Sequence, residues 1–202
     1  MNNSEELVAN ELSKQGLACQ RFSKSEIKNG KTPDFRVFKD NQFGFYCEVK
    51  EVKKDDWALG LRNDPIFNRL TDDIHTAVKQ FDAVNPDNKF PNVLAFVNND
   101  HMCGSLDLLG VLTGGLLLEG GGMAEIYYKF SKGRIKNEKD RIHLYLWYDS
   151  FKANKVLFNQ NNDSHLKKKI ICAAVTQLVE HVLAPVRESS VTRPFLLMGR
   201  GS

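Results

Sequence analysis

The sequence predicts an α/β protein built on a mixed central sheet. Three observations carry that expectation. A short amphipathic stretch from Ser4 to Gln15 is followed by three strand-like segments. Ile66, Leu70, Ile74, Ala77, Val78 and Phe81 then form an apolar stripe at helical spacing. Last, Asn92-Val93-Leu94-Ala95-Phe96-Val97 is a nearly unbroken apolar run of strand length, which suits a central strand covered on both faces. Strand, helix and strand in that order imply a parallel crossover. The hairpin before it is antiparallel, so the sheet is expected to be mixed.

The elements follow in order. Ser4 with Glu5 and Glu6 reads as an N-cap with an acidic first turn. Leu7, Val8, Leu12 and Gln15 keep helical spacing, and Gly16 is a good stop. Leu17 to Phe22 reads as a strand and Ser23 to Lys31 as a polar loop. Asp34 to Phe38 and Phe43 to Lys50 read as two strands joined by the polar turn Lys39-Asp40-Asn41-Gln42. Lys53 to Asn63 is a charged connection around Trp57 and Gly60. Asp64-Pro65 then caps a helix expected to run to about Val84, before Pro86.

Further on, Ser105 is expected to cap a short apolar helix through Leu112. Gly120-Gly121-Gly122 marks a flexible or tight loop. Ile142 to Tyr148 and Lys155 to Phe158 read as two more strands. Asp163-Ser164 begins a long helix carrying Leu166, Ile170, Ala174, Leu178 and Val182, ended by Pro185. Together these give one domain over 1–185, with a core at about 4–97 and a strand and helix elaboration over 98–185. Residues 186–202 form a tail whose last residues read as vector-derived.

Composition sets outer bounds. The chain has 202 residues, 28 Lys and Arg against 25 Asp and Glu, and a net charge of +3. A length of this order buries a sizeable core, and no polybasic tail advertises nucleic acid. Residues 1–6 have neither a basic nor an apolar segment of the secretory kind. Leu106 to Leu118 is broken by Asp107, Gly110, Gly114 and Gly115 and is too short to span a bilayer. Cys19, Cys47, Cys103 and Cys172 show no C-x-x-C spacing and read as free thiols. A reducing cytoplasm is the expected location. The five histidines are scattered, and the turn Asp100-His101-Met102-Cys103 reads as structural rather than as a zinc site.

The most informative residues are Thr32-Pro33-Asp34-Phe35 and, after a short gap, Glu48-Val49-Lys50. Side chains alternate along a strand. Phe43, Phe45, Cys47 and Val49 are therefore expected on one apolar, buried face, with Tyr46, Glu48 and Lys50 on the other. A hairpin centred near Asn41 places Asp34 opposite Glu48, where Cβ atoms lie roughly 4.5–5.5 Å apart. Two carboxylates that close repel unless something offsets them. A hard divalent cation does so through oxygen ligands, and Lys50 points to the same side.

The order helix, strand, strand with Pro33-Asp34, strand with Glu48-Val49-Lys50, helix, strand resembles the PD-(D/E)xK, or restriction-endonuclease-like, nuclease superfamily. The likeness covers about Ser4 to Val97. It implies an αβββαβ core, dependence on Mg²⁺ with Mn²⁺ able to substitute, and hydrolysis of a phosphodiester. It further implies metal ligands at Asp34, Glu48 and Val49, and a Lys50 that orients or activates the attacking water. A first-helix glutamate often faces such sites, and Glu6 is the expected one. A glutamine on the following helix is found in some members, and Gln80 stands at that place.

DNA is the expected substrate class. Lys53, Lys54, Trp57 and Arg62 are candidate contacts near the exit of the catalytic strand, Trp57 by stacking on a base. Further basic groups lie at Lys129-Lys132-Arg134-Lys136 and Lys167-Lys168-Lys169. The competing reading is a non-catalytic nucleic-acid-binding or assembly module on the same fold, because fold alone does not establish activity. The broad apolar stripe of the last helix either packs into the domain or forms a homodimer interface.

Overall fold

A six-stranded mixed sheet carries Glu48 and Lys50 on one of its strands and begins another strand just after Asp34. The computed structural model describes residues 2–54, 66–118, 122–125, 135, 138–149 and 155–158. Its elements are α1 (Asn3–Lys14), β1 (Leu17–Arg21), α2 (Lys24–Asn29), β2 (Phe35–Lys39), β3 (Gln42–Val52) and α3 (Ile66–Val84). They continue with β4 (Asn92–Asn98), α4 (Ser105–Thr113), β5 (Gly115–Leu117), β6 (Met123–Glu125), β7 (Leu144–Asp149) and β8 (Lys155–Phe158). The main sheet runs β1-β2-β3-β4-β7-β8, and β5 with β6 forms a separate hairpin. β3, β4 and β7 are parallel, while β1, β2 and β8 join antiparallel. The chain is thus α/β with a mixed sheet. Among the described residues no helix is long and apolar enough to cross a membrane.

The alternation of β3 and the continuous run of β4 make the layers. Every residue of β4 is buried. Val93, Ala95 and Val97 face the core beneath α1, where Val8 and Leu12 meet Leu17, Phe35, Val37, Phe45, Cys47 and Val49. Leu94 and Phe96 face the other core, which α3 fills with Leu70, Ile74, Ala77, Val78 and Phe81 and α4 with Leu108 and Val111. A fully buried side chain of the size of Leu70 or Phe81 contributes about 1.5–3 kcal/mol relative to exposure. Those two layers fix α3 over the sheet face that carries Glu48 and Lys50.

Several local expectations are corrected. The N-cap of α1 is Asn2, whose side chain accepts from the Glu5 N–H, rather than Ser4, which is buried inside the helix. The buried stripe is Ser4, Val8 and Leu12, and Leu7 is exposed. Residues 24–29, expected as loop, form α2, because Ser23 and Glu26 make a reciprocal capping box. Gly104 precedes α4 as its cap, with its N–H donated to Asp107 Oδ2 at 2.8 Å, so Ser105 is already helical. Asp64, Pro65, Gly120, Gly121 and the helix expected from Ser164 lie outside the described residues.

The β2–β3 hairpin departs from expectation at its tip, and the departure matters. Lys39 pairs with Gln42, so the turn is only Asp40-Asn41, both at positive φ (50° and 62°). That pair suits the right-handed twist of a two-residue hairpin loop. Phe38 then pairs with Phe43, yet Val37 pairs with Phe45, which leaves Gly44 as an extra residue in a bulge. Phe43 therefore sits on the Tyr46 face, packing on Phe38 and Tyr46 at 5.5 and 4.9 Å between ring centroids, not with Phe45 as alternation implied. Beyond the bulge Phe35 faces Cys47, the register that brings Asp34 to Glu48.

Gly44 is close-packed. A Cβ placed there would stand 3.3 Å from the Val37 carbonyl oxygen. Gly44→Val is expected to destabilise the fold by about 1–2 kcal/mol in urea titration, with Gly44→Ala costing less. Equal stability of all three proteins would show that the bulge accepts any side chain.

Candidate active site

Asp34 and Glu48 are held by each other's strands. The Asp34 N–H donates to Glu48 Oε2 at 3.1 Å, and the Val49 N–H donates to Asp34 Oδ2 at 2.8 Å. Each carboxylate thus accepts from a peptide of the opposing strand, which offsets part of their mutual repulsion. Lys50 Nζ donates to Glu48 Oε1 at 2.7 Å and to Gln80 Oε1 at 3.2 Å. Gln80 Nε2 donates to the Thr32 carbonyl at 3.0 Å. One side chain from α3 therefore ties Lys50 to the peptide just before Pro33.

Burial makes this cluster electrostatically tense. Glu48 is only 2 % exposed. Desolvation, and then the Asp34 charge, push its carboxyl up to about 7, against the pull of Lys50 and Gln80. Asp73, on α3, is a second case. Burial pushes its carboxyl up to about 6, while nearby Lys50 and Arg69 lower it. Asp73 itself is not among the residues the sequence singles out. The signal was present, since Asp73, Thr76 and Gln80 lie at i, i+3 and i+7 on one helix face.

The cluster opens on a cleft lined by Glu5, Arg21, Phe22, Ile27, Gly30, Lys31, Thr32, Pro33, Asp34, Lys50, Thr76 and Gln80. Glu5, not Glu6, is the α1 carboxylate there. Glu6 is exposed and borders a different hollow with Asn3, Leu7 and Asn10. The reason is the position of the stripe. With Ser4, Val8 and Leu12 against the sheet, Glu5 stands three residues before Val8 and seven before Leu12, so it shares their side. Glu6 stands roughly opposite that stripe on the helical wheel. Glu5 is ion-paired to Arg21 at the end of β1.

The other candidates divide. Asp34, Glu48, Lys50 and Gln80 are brought together as described. The Val49 side chain is in the core, and only its main chain borders Asp34. Lys53 lines a separate hollow with Glu51, Arg69, Asp72 and Asp73, and Lys54 is exposed. Trp57 and Arg62, with the basic groups at 129–136 and 167–169, lie outside the described residues.

Among the described residues no group of three or more His, Cys, Asp and Glu is placed to hold a metal ion. The donors at hand are the two carboxylates of Asp34 and Glu48, hard oxygen ligands that match Mg²⁺ rather than zinc. A buried carboxyl pushed up by desolvation beside a second carboxylate fits such an ion, which would favour the charged form of both. His143 is a structural residue, its Nδ1 accepting from the Asn92 N–H at 3.1 Å. Asp100 closes a turn by accepting from the Met102 N–H at 3.0 Å. Cys47 and Cys103 are buried free thiols. Comparison with protein-family models, curated proteins and solved structures gave no match.

The pH dependence of stability has a definite sign. A carboxyl whose folded pKa is raised holds its proton more tightly in the folded state. Glu48's contribution is complete below its ordinary 4.5 and is lost as the pH rises through about 7. Asp73 acts in the same direction, from 3.8 to about 6. Metal-free protein is expected to lose stability as the pH rises from 4.5 through about 7, with Glu48 supplying about 3 kcal/mol of the change. Glu48→Gln should flatten the profile, read by urea titration across that range. An unchanged slope would place Glu48 in water.

Proposed function

We propose that this chain is a metal-dependent nuclease that hydrolyses DNA phosphodiester bonds on a restriction-endonuclease-like core. The observation that carries the reading is the convergence of Asp34, Glu48 and Lys50 at one end of the hairpin, facing a cleft that Gln80 and Glu5 also reach. The order α1-β1-β2-β3-α3-β4, with α2 inserted, agrees with the αβββαβ pattern that the sequence resembles. Asp34 and Glu48, with the Val49 main chain, would hold Mg²⁺ or Mn²⁺.

The bound ion would polarise a phosphoryl oxygen and lower the pKa of a coordinated water. This chain's own residues do the rest. Lys50 spends two of its three N–H bonds on Glu48 and Gln80. The third is available to the attacking water or a phosphoryl oxygen in the cleft that Lys50 lines. Gln80 positions Lys50 and, through Thr32, the peptide leading into Pro33-Asp34. Asp34 and Glu48 are fixed by peptide N–H groups before any ligand arrives, so little reorganisation is required on binding.

The test is titration of Mg²⁺ or Mn²⁺ against linear, branched and single-stranded DNA. Cleavage should require the ion and fall by about 10² or more in Lys50→Ala. Asp34→Ala and Glu48→Ala should abolish both cleavage and the rise in melting temperature that Mg²⁺ induces. Glu48 must lose its proton to bind the ion. Mg²⁺ affinity measured calorimetrically should therefore climb about tenfold per pH unit below neutrality and level off above it. DNA binding with no cleavage under any ion would assign the chain to the non-catalytic class.

A further inference from the structure

The cleft has one wall that the catalytic cluster does not use. It is made by α2 and the segment after it. Residues 24, 27 and 28 stand at i, i+3 and i+4 and so share one helix face. They are Lys24, Ile27 and Lys28, all exposed, with Ile27 at 55 %. Lys31, also exposed, continues that side past the helix end, and both Ile27 and Lys31 line the cleft with Asp34 and Lys50. Among the described residues none of the three lysines has an ion-pair partner.

The rest of α2 explains why that face is held outward. Glu26 closes the capping box with Ser23 and is ion-paired to Arg36 on β2. Arg36 in turn lies over the Phe22 ring at 3.9 Å. The arm is pinned to the sheet through its acidic residue, Ile27 and Lys31 are left lining the cleft, and Lys24 and Lys28 are exposed on the same helix face as Ile27. Lys24 and Lys28 on the helix and Lys31 just past it thus form a basic strip with one exposed aliphatic side chain, Ile27, among them. The surface is complementary to a polyanion that also offers apolar faces, namely a nucleic-acid strand with its phosphates, sugars and bases.

We propose that α2 is the arm that grips the DNA strand entering the cleft. Lys24, Lys28 and Lys31 neutralise successive phosphates, and Ile27 packs on a sugar or base edge. This rests on the nuclease reading and moves the substrate contact from the exit of β3, where the sequence suggested Lys53 and Lys54, to the cleft wall lined by Ile27 and Lys31. Lysine contacts of this kind set affinity and register and carry no sequence information.

The experiment is fluorescence anisotropy of labelled single-stranded and duplex DNA across a salt series. EDTA is present, so hydrolysis does not intervene. The variants are Lys24→Ala/Lys28→Ala, Ile27→Ala, and a charge-matched control, Lys14→Ala/Lys89→Ala, remote from the cleft. The paired α2 variant should bind at least about tenfold more weakly near 0.1 M salt and lose roughly 2 from the slope of log affinity against log salt. Ile27→Ala should weaken binding with the slope unchanged. An unaltered affinity and slope in the α2 pair, or an equal change in the control, overturns the arm. Mg²⁺-dependent cleavage by the wild-type chain would then leave the nuclease reading standing. Failure of the wild-type chain to bind either DNA overturns both.

Discussion

The register of the β2–β3 hairpin is the constraint on which the site depends. A two-residue turn at Asp40-Asn41 by itself would set Asp34 against Cys47 and Phe35 against Tyr46. The extra residue at Gly44 shifts the pairing by one, so that Phe35 meets Cys47 and Val37 meets Phe45. A one-residue slip moves every side chain to the other face. The bulge therefore does two things together. It matches the apolar faces of the two strands under α1, and it brings the Asp34 and Val49 peptides to each other's carboxylates. Packing and chemistry are fixed by the same glycine.

The site is paid for in stability by Glu48. Its carboxyl is buried next to a second carboxylate, and only a lysine, one peptide N–H and the nearby Gln80 stand against the desolvation. A folded protein normally avoids this arrangement, since a buried charge costs several kcal/mol unless compensated. Where such tension persists in a cleft, it points to a ligand that relieves it. Asp73, raised in the same way and near Lys50, extends the tense region along α3. The surrounding scaffold tolerates it because β4 is buried throughout and α3 is anchored by a continuous apolar stripe.

Helix faces set the remaining geometry, and here small angular differences decide roles. On α1 the buried stripe is Ser4, Val8 and Leu12, so a serine takes the place that the more apolar Leu7 seemed to claim. Glu5, three residues before Val8, is the α1 carboxylate that lines the cleft with Asp34. On α2 the Ser23 to Glu26 box fixes which side is tied to Arg36 and which is free. Both faces were written in the sequence as i, i+3, i+4 relations. They were hard to read because each helix is short and its polar residues outnumber the apolar ones that mark orientation.

By itself the sequence determined the α/β class, the order of the core elements, and the common face of Glu48 and Lys50 on β3. Those follow from local periodicity alone. Gln80 was legible for the same reason, because α3 has a long, unambiguous stripe that leaves one face for the site. Only the tertiary structure decided the Gly44 bulge and with it the pairing of Asp34 with Glu48, the face of Phe43, and the approach of Asp73 to Lys50. Each of these depends on which of two nearly equal local options lets an apolar face close on the sheet. That balance is struck between elements distant in sequence, where periodicity carries no information.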